Sequence, residues 1–229
     1  MRRNIILLHG AIGSSQQLIS LKEILEDELQ VILFDFPGHG GTEMPRTFSI
    51  ELFANSVVQY MNENNIATAS IFGYSMGGYV GMYLAKHFPG RIDNVITLAT
   101  KYHWDENVSG KEIKMLVPEV IEQKIPAFAE TLQHRHTPND WKEVLSKTAE
   151  MLVRLGKKNC LELPDYRSIH QRCLMMIGEK DKMVSIEETE AVYQQLPNGR
   201  IEILPATPHP IEQVDIELLS KQITSFLNG

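Results

Sequence analysis

Ile71-Phe72-Gly73-Tyr74-Ser75-Met76-Gly77-Gly78 is the stretch on which the reading of this chain turns. A five-residue Gly-x-Ser-x-Gly match is common by chance. What discriminates is its placement after an apolar run and before a helical pattern over residues 79–88. A serine held on a very tight strand-to-helix turn exposes its hydroxyl. Side chains on the flanking residues would clash there, so Gly73 and Gly77 are required sterically. The helix that follows aims its free N–H groups and positive dipole end at the serine. The plain alternative is a glycine turn carrying an exposed serine, and the surrounding pattern weighs against it.

Outward from this stretch, short apolar runs alternate with longer helical patterns. The runs cover residues 4–8, 31–34, 69–72, 94–98, 173–177 and 200–204, each bounded by Gly, Pro, Asp or Asn. Such runs fit strands buried on both faces of a parallel sheet. Between them, residues 17–29 place Leu18, Leu21, Leu25 and Leu29 on one helical face. Residues 49–62 group Phe53, Val57, Tyr60 and Met61, and residues 186–196 and 211–227 complete the series. The fold class predicted is α/β, an open parallel sheet of about six strands flanked by helices.

From Thr100 to about Arg172 no strand candidate occurs. Helical patterns lie instead at residues 111–123, 127–136 and 139–155, the last with Thr137 as N-cap and Pro138 at its first position. Residues 1–99 and 173–229 therefore read as the core and residues 100–172 as a helical cap insertion. It leaves from the carboxyl end of a strand, where open α/β sheets bind their ligands. Its apolar residues include Met115, Leu116, Val117, Ile121, Phe128, Leu132, Trp141 and Leu152, more than a solvated elaboration needs.

Composition narrows the partners. With 229 residues, 43% apolar and 22% charged, the chain suits one soluble domain. The net charge of −7, with no offsetting Lys/Arg block, argues against nucleic acid and anionic lipid. Arg2-Arg3 before Ile5–Leu8 hints at a signal peptide, but four residues fall short of the roughly 7–15 of its apolar region. No stretch approaches the roughly 18 apolar residues of a membrane span. Cys160 and Cys173 fit no disulfide framework or metal spacing, so they are expected as reduced thiols in a cytoplasmic protein. No cofactor motif occurs. His134-x-His136 is no metal set, because helical spacing turns the two side chains apart. A small-molecule substrate is expected, and the oligomeric state is left open.

Four further segments extend the pattern. His9-Gly10-Ala11 follows the first run, and Asp35-Phe36-Pro37-Gly38-His39-Gly40-Gly41-Thr42 follows the second. Gly178-Glu179-Lys180-Asp181 follows the fifth, and His209 lies between the last run and the last helix. With the serine turn, these resemble the α/β-hydrolase superfamily, more narrowly its small capped esterases, lipase-like enzymes and carbon–carbon bond hydrolases. The order Ser, Asp, His is that of the family.

The resemblance implies a catalytic set of Ser75 as nucleophile, His209 as base and Asp181 as the acid that orients it. It implies oxyanion binding by the backbone N–H groups of Ala11 and Met76, with Ile12 as the alternative to Ala11. Glu179, Asp165 and Asp105 are the rivals to Asp181. Among eight histidines, His9 and His39 read as structural, His87 as a helix-end cation, and His103 or His134 as candidates to face substrate.

The sequence departs from the family twice. The two strands that usually come first are missing, so the sheet should be wholly parallel. Pro208 and Pro210 flank His209, so its loop should be stiff. An ester- or thioester-cleaving serine hydrolase of a small, partly apolar substrate is the reading favoured. A carbon–carbon bond hydrolase with the same residues, or a ligand sensor on this scaffold, is the alternative. A carboxylate elbow, as haloalkane dehalogenases and epoxide hydrolases require, is absent. Lys101, Lys114, Arg135 and Arg154 are the candidates to hold an acidic group.

Overall fold

Strands of Ile, Leu and Val pack helices on both of their faces, and the structure, a computed structural model describing residues 2–229, is built around six of them. They are β1 (Asn4–Leu8), β2 (Gln30–Phe34), β3 (Ala69–Tyr74), β4 (Ile92–Leu98), β5 (Arg172–Gly178) and β6 (Gly199–Leu204). All pair in parallel, in the order β2-β1-β3-β4-β5-β6. Six strands, with no antiparallel partner among the described residues, match the sequence expectation. Side chains alternate across the sheet. Ile6 and Leu8 of β1 point into one apolar cluster, while Ile5 and Leu7 point into the other. Each fully buried Leu or Ile contributes about 1.5–3 kcal/mol relative to exposure.

The second cluster is covered by α1 (Ile19–Leu25) and α9 (Ile216–Asn228). The first is covered by α2 (Ile50–Glu63), α3 (Met76–His87) and α8 (Ile186–Tyr193). Burial on both faces holds for the inner strands only. β2 and β6 are edges, and Ile203 on β6 is 46% exposed.

Between β4 and β5 lie α4 (Glu106–Glu112), α5 (Pro118–Lys124), α6 (Pro126–His136) and α7 (Trp141–Lys157). Their boundaries differ from the sequence expectation for local reasons. Asp105 accepts from Val108 N and starts α4 early. Pro118 opens α5 and breaks the pattern predicted over residues 111–123. α7 starts at Trp141, capped by Asp140 rather than Thr137, whose hydroxyl instead donates to Gln133 O at the end of α6. Val144, Met151, Leu152 and Leu155 of α7 belong to the same apolar cluster as Ile50 and Tyr79, so the insertion and the sheet share one core. No helix among the described residues is long and apolar enough to cross a membrane.

Polar contacts fasten the insertion to the loops after β1 and β2. Asn139 Nδ2 donates to Gly38 O at 3.2 Å and to Thr42 O at 2.7 Å. Gly40 N donates to His136 Nδ1 at 3.3 Å. His136 lies 5.7 Å from His39, and His39 lies 5.1 Å from His9, ring centre to ring centre. Burial is the main influence on all three. It lowers the pKa of His9 and of His136 to about 4 and that of His39 well below its ordinary value.

These histidines are therefore neutral when folded but take up protons on unfolding below pH 6.5, the ordinary histidine value. Their stabilisation is complete above that pH and is lost as pH falls toward about 4, by on the order of 3 kcal/mol for His9 alone. The Tm should therefore drop as pH is lowered from 6.5 to 4, and the drop should be smaller in His39→Leu. Scanning calorimetry across that window checks both. Equal slopes in the two proteins would remove the histidine cluster as the cause.

Candidate active site

The sheet order reverses between β1 and β3, where Leu8 lies opposite Gly73. Their carboxyl ends therefore deliver the Gly10–Gly13 turn and Ser75 side by side, at the switch point where such sheets form a crevice. The approach is very close. A Cβ on Gly77 would lie 2.4 Å from Leu8 O, and one on Gly73 would lie 2.3 Å from the Gly77 carbonyl. Only glycine permits this packing. It leaves Ser75 at φ 51, ψ −116, a strained conformation held by Ser75 N donating to Leu98 O at 2.8 Å.

Met76 is the first residue of α3, so its N–H has no acceptor within the helix. The Ala11 N–H has no backbone acceptor among the described residues. His9 sits beneath that turn. Phe36 N donates to its Nε2 at 3.2 Å, so Nδ1 carries the proton and donates to Gly10 O at 2.8 Å. The 3.8 Å approach of Asp35 to His9 Nε2 is thus not an ion pair, because the ring is neutral. Asp35 instead accepts from Ser15 N and Oγ, at 2.7 and 2.6 Å.

His209 Nδ1 bonds Asp181 Oδ2 at 2.8 Å. The Asp181 side chain is fully buried, and its other oxygen accepts from Met183 N at 2.8 Å and Val184 N at 2.9 Å. Burial, the largest single influence, pushes its pKa up. The bond from His209 and the two N–H donors together outweigh it and hold the carboxyl below the ordinary carboxylate range. The loop between Pro208 and Pro210 is pinned from below. Tyr74 Oη donates to His209 O at 3.1 Å, Lys180 N to Thr207 O at 3.0 Å, and Ala206 N to Glu179 Oε2 at 2.9 Å.

Ser75, Met76, Ala11, Ile12 and His209 all open on one cavity of about 590 Å³, with Asp181 behind His209. Its floor is core, and most of its apolar wall is insertion: Met115, Leu116, Ile121, Phe128 and Leu152 face it. Val117, Leu132 and Trp141 do not. Trp141 packs with Ile121, Leu132 and Leu145 instead. Lys101, Lys114 and Arg135 reach the cavity, whereas Arg154 donates to Phe48 O. Lys101 lies 3.5 Å from Glu112, and Arg135 3.6 Å from Glu212.

The other candidates fall elsewhere. Asp105 caps α4, Glu179 holds the loop before His209, and Asp165 pairs with Lys86. His103 is exposed beside Asp105, and His134 is exposed on α6, so neither faces the cavity. Sequence reasoning missed His136, which is fully buried and donates through Nε2 to Ile12 O at 3.1 Å. Its spacing of four from Leu132 and eight from Phe128 is the signal that could have placed it on the inward face, although nothing in it points to Ile12 or Gly40. Cys160 and Cys173 are both free thiols.

A sequence profile of the alpha/beta hydrolase fold matches residues 3–211. The chain is 21% identical to the uncharacterized hydrolase YugF of Bacillus subtilis, over 99% of this chain and 90% of the relative. It is 26% identical to 3-oxoadipate enol-lactonase 2 of Acinetobacter baylyi, over 80% of this chain and 73% of the relative. The solved enol-lactonase from Burkholderia xenovorans LB400 superposes with a TM-score of 0.82, at 18% identity, covering 100% of this chain and 92% of that one. With a profile match across most of its length and a fold to agree, the chain belongs to the alpha/beta-hydrolase fold family.

Proposed function

We propose that this protein is a serine hydrolase that cleaves a carboxylic ester or thioester of a small, partly apolar substrate through an acyl-enzyme. One observation carries the reading. His209 is bonded through Nδ1 to a buried, ionised Asp181 and shares a cavity with Ser75. That bond commits Nδ1 as the donor and leaves Nε2 as the basic nitrogen. The Ser75 hydroxyl attacks the carbonyl carbon while Nε2 accepts its proton. Asp181 stabilises the imidazolium that results. Charge developing on the carbonyl oxygen meets the N–H groups of Ala11 and Met76. Collapse passes the proton from His209 to the leaving alcohol or thiol, and a water repeats the sequence to free the acid.

The insertion acts as a cap that supplies the acyl pocket, supported by its share of the apolar wall. A lactone is a cyclic ester, so the enol-lactonase relative supports ester chemistry. Carbon–carbon cleavage of a β-diketone-like acid by the same residues is the second reading. Lys114 favours it, because it lines the cavity with no carboxylate partner among the described residues and so suits a substrate carboxylate.

A fluorophosphonate should label Ser75 and no other serine, and Ser75→Ala should abolish both labelling and turnover. Asp181→Asn should lower kcat by roughly 10³–10⁴, because the imidazole loses its tautomer. Mapping of the adduct by mass spectrometry and a p-nitrophenyl ester assay check these. An adduct on a different serine would end this reading.

Each acyl methylene seated in the cavity is worth roughly 1 kcal/mol, so the ester-length profile should be steep. Phe128→Ala widens the wall and should move the optimum to longer chains with Ser75 labelling intact. An unchanged profile in kcat/KM would place chain selection outside the insertion.

A further inference from the structure

Ile12 is β-branched and sits at φ 51, a conformation such side chains rarely adopt. Something must hold it there. The Gly10–Gly13 turn is fastened at two carbonyls, from different parts of the molecule. Gly10 O accepts from His9 Nδ1 and from Gly13 N, both core groups. A trans peptide points its N–H opposite its C=O, so these bonds also set the direction of the Ala11 N–H. Ile12 O accepts from Arg135 Nη1 at 3.1 Å and from His136 Nε2 at 3.1 Å, adjacent residues at the end of α6. Because Gly40 N donates to His136 Nδ1, the ring proton is confined to Nε2 and points at Ile12 O. Arg135 is held in turn by Glu212, three residues after His209.

We propose that Arg135 and His136 are positioning residues that couple the seating of the insertion to the oxyanion turn, holding Ile12 at its positive φ and thereby the Ala11 N–H at the carbonyl oxygen of the substrate. This rests on the reading of Ala11 as an oxyanion donor. Neither side chain reacts. Both act through Ile12, and a change in either should be felt more in the transition state than in substrate binding. His136 is the cleaner probe, since it does not line the cavity.

The experiment measures p-nitrophenyl butyrate hydrolysis and inhibition by an alkyl trifluoromethyl ketone, whose serine adduct places an oxyanion at the turn. His136→Met, which removes the donor, should lower kcat roughly tenfold to hundredfold, short of the roughly 10²–10³ lost with a whole oxyanion donor. KM should stay within about threefold, and the inhibition constant should rise by the same factor as kcat falls. His136→Gln, which keeps an N–H donor, should recover much of the loss. Arg135→Met against Arg135→Lys supplies the same comparison where His136→Met does not fold, as judged by circular dichroism.

Folded donor-less variants with kcat within twofold of wild type would overturn the coupling. So would a fall in kcat with unchanged inhibitor affinity. Fluorophosphonate labelling of the wild type separates the two levels. A labelled Ser75 with insensitive variants sinks only the coupling, whereas no label on the wild type sinks the hydrolase reading and the coupling with it.

Discussion

Backbone resting on backbone, with no side chain between, is the constraint from which the rest of this site is built. Gly77 at the start of α3 lies against the carbonyl of Leu8 at the end of β1, and Gly73 lies against Gly77. A single methyl group at either position would force the turn away from the sheet. The parallel order then does the remaining work. Because β1 and β3 are neighbours whose connections run to opposite sides, the turn after one and the serine after the other emerge together. Tyr74, one residue before Ser75, reaches across to hold the carbonyl of His209. Burial, its largest influence, raises the Tyr74 pKa, so the phenol remains protonated and able to donate. Three loops separated widely in sequence thus take their positions from one strand end.

The insertion is attached by two kinds of force. Apolar packing of α7 joins it to the sheet's main cluster, a non-directional interaction that sets distance rather than orientation. Directional contacts from the α6–α7 corner then fix it against the loops after β1 and β2, through His136 and Asn139. The three buried histidines lie at this seam. His39 Nε2 has no hydrogen-bond partner among the described residues, which fits a ring kept neutral by its surroundings. The cavity lies between the two parts, so its shape depends on both.

Legibility in the sequence followed the strength of the local signal. The inner strands read clearly because burial on both faces leaves continuous runs such as Ile5–Leu8, and the serine turn read clearly because sterics admit little besides glycine. Edge status did not. Arg200 and Ile203 of β6 look like any other run until the neighbours are known. In the insertion, Thr137-Pro138 offers an N-cap signal, yet α7 starts after Asp140, and Asn139 between them donates to Gly38 O and Thr42 O. His136 was hidden for the same reason. Its partners lie about a hundred residues away in sequence, and no periodicity names them. Lys101, Lys114, Arg135 and Arg154 were legible only as cations of the insertion; sequence told neither that Arg154 turns away nor which glutamates partner Lys101 and Arg135.

Ser75 occupies a backbone conformation that costs about 1–3 kcal/mol for any residue bearing a Cβ. Domains of this kind are stable by only about 5–15 kcal/mol. An appreciable part of that margin is therefore tied up at a single residue. Glycine would sit there without strain, so Ser75→Gly removes that cost together with the hydroxyl. Ile12, Asn65, Ala99 and Ala206 also sit at positive φ, so strain of this kind is spread over several side-chain-bearing positions among the described residues, and packing around each must hold it.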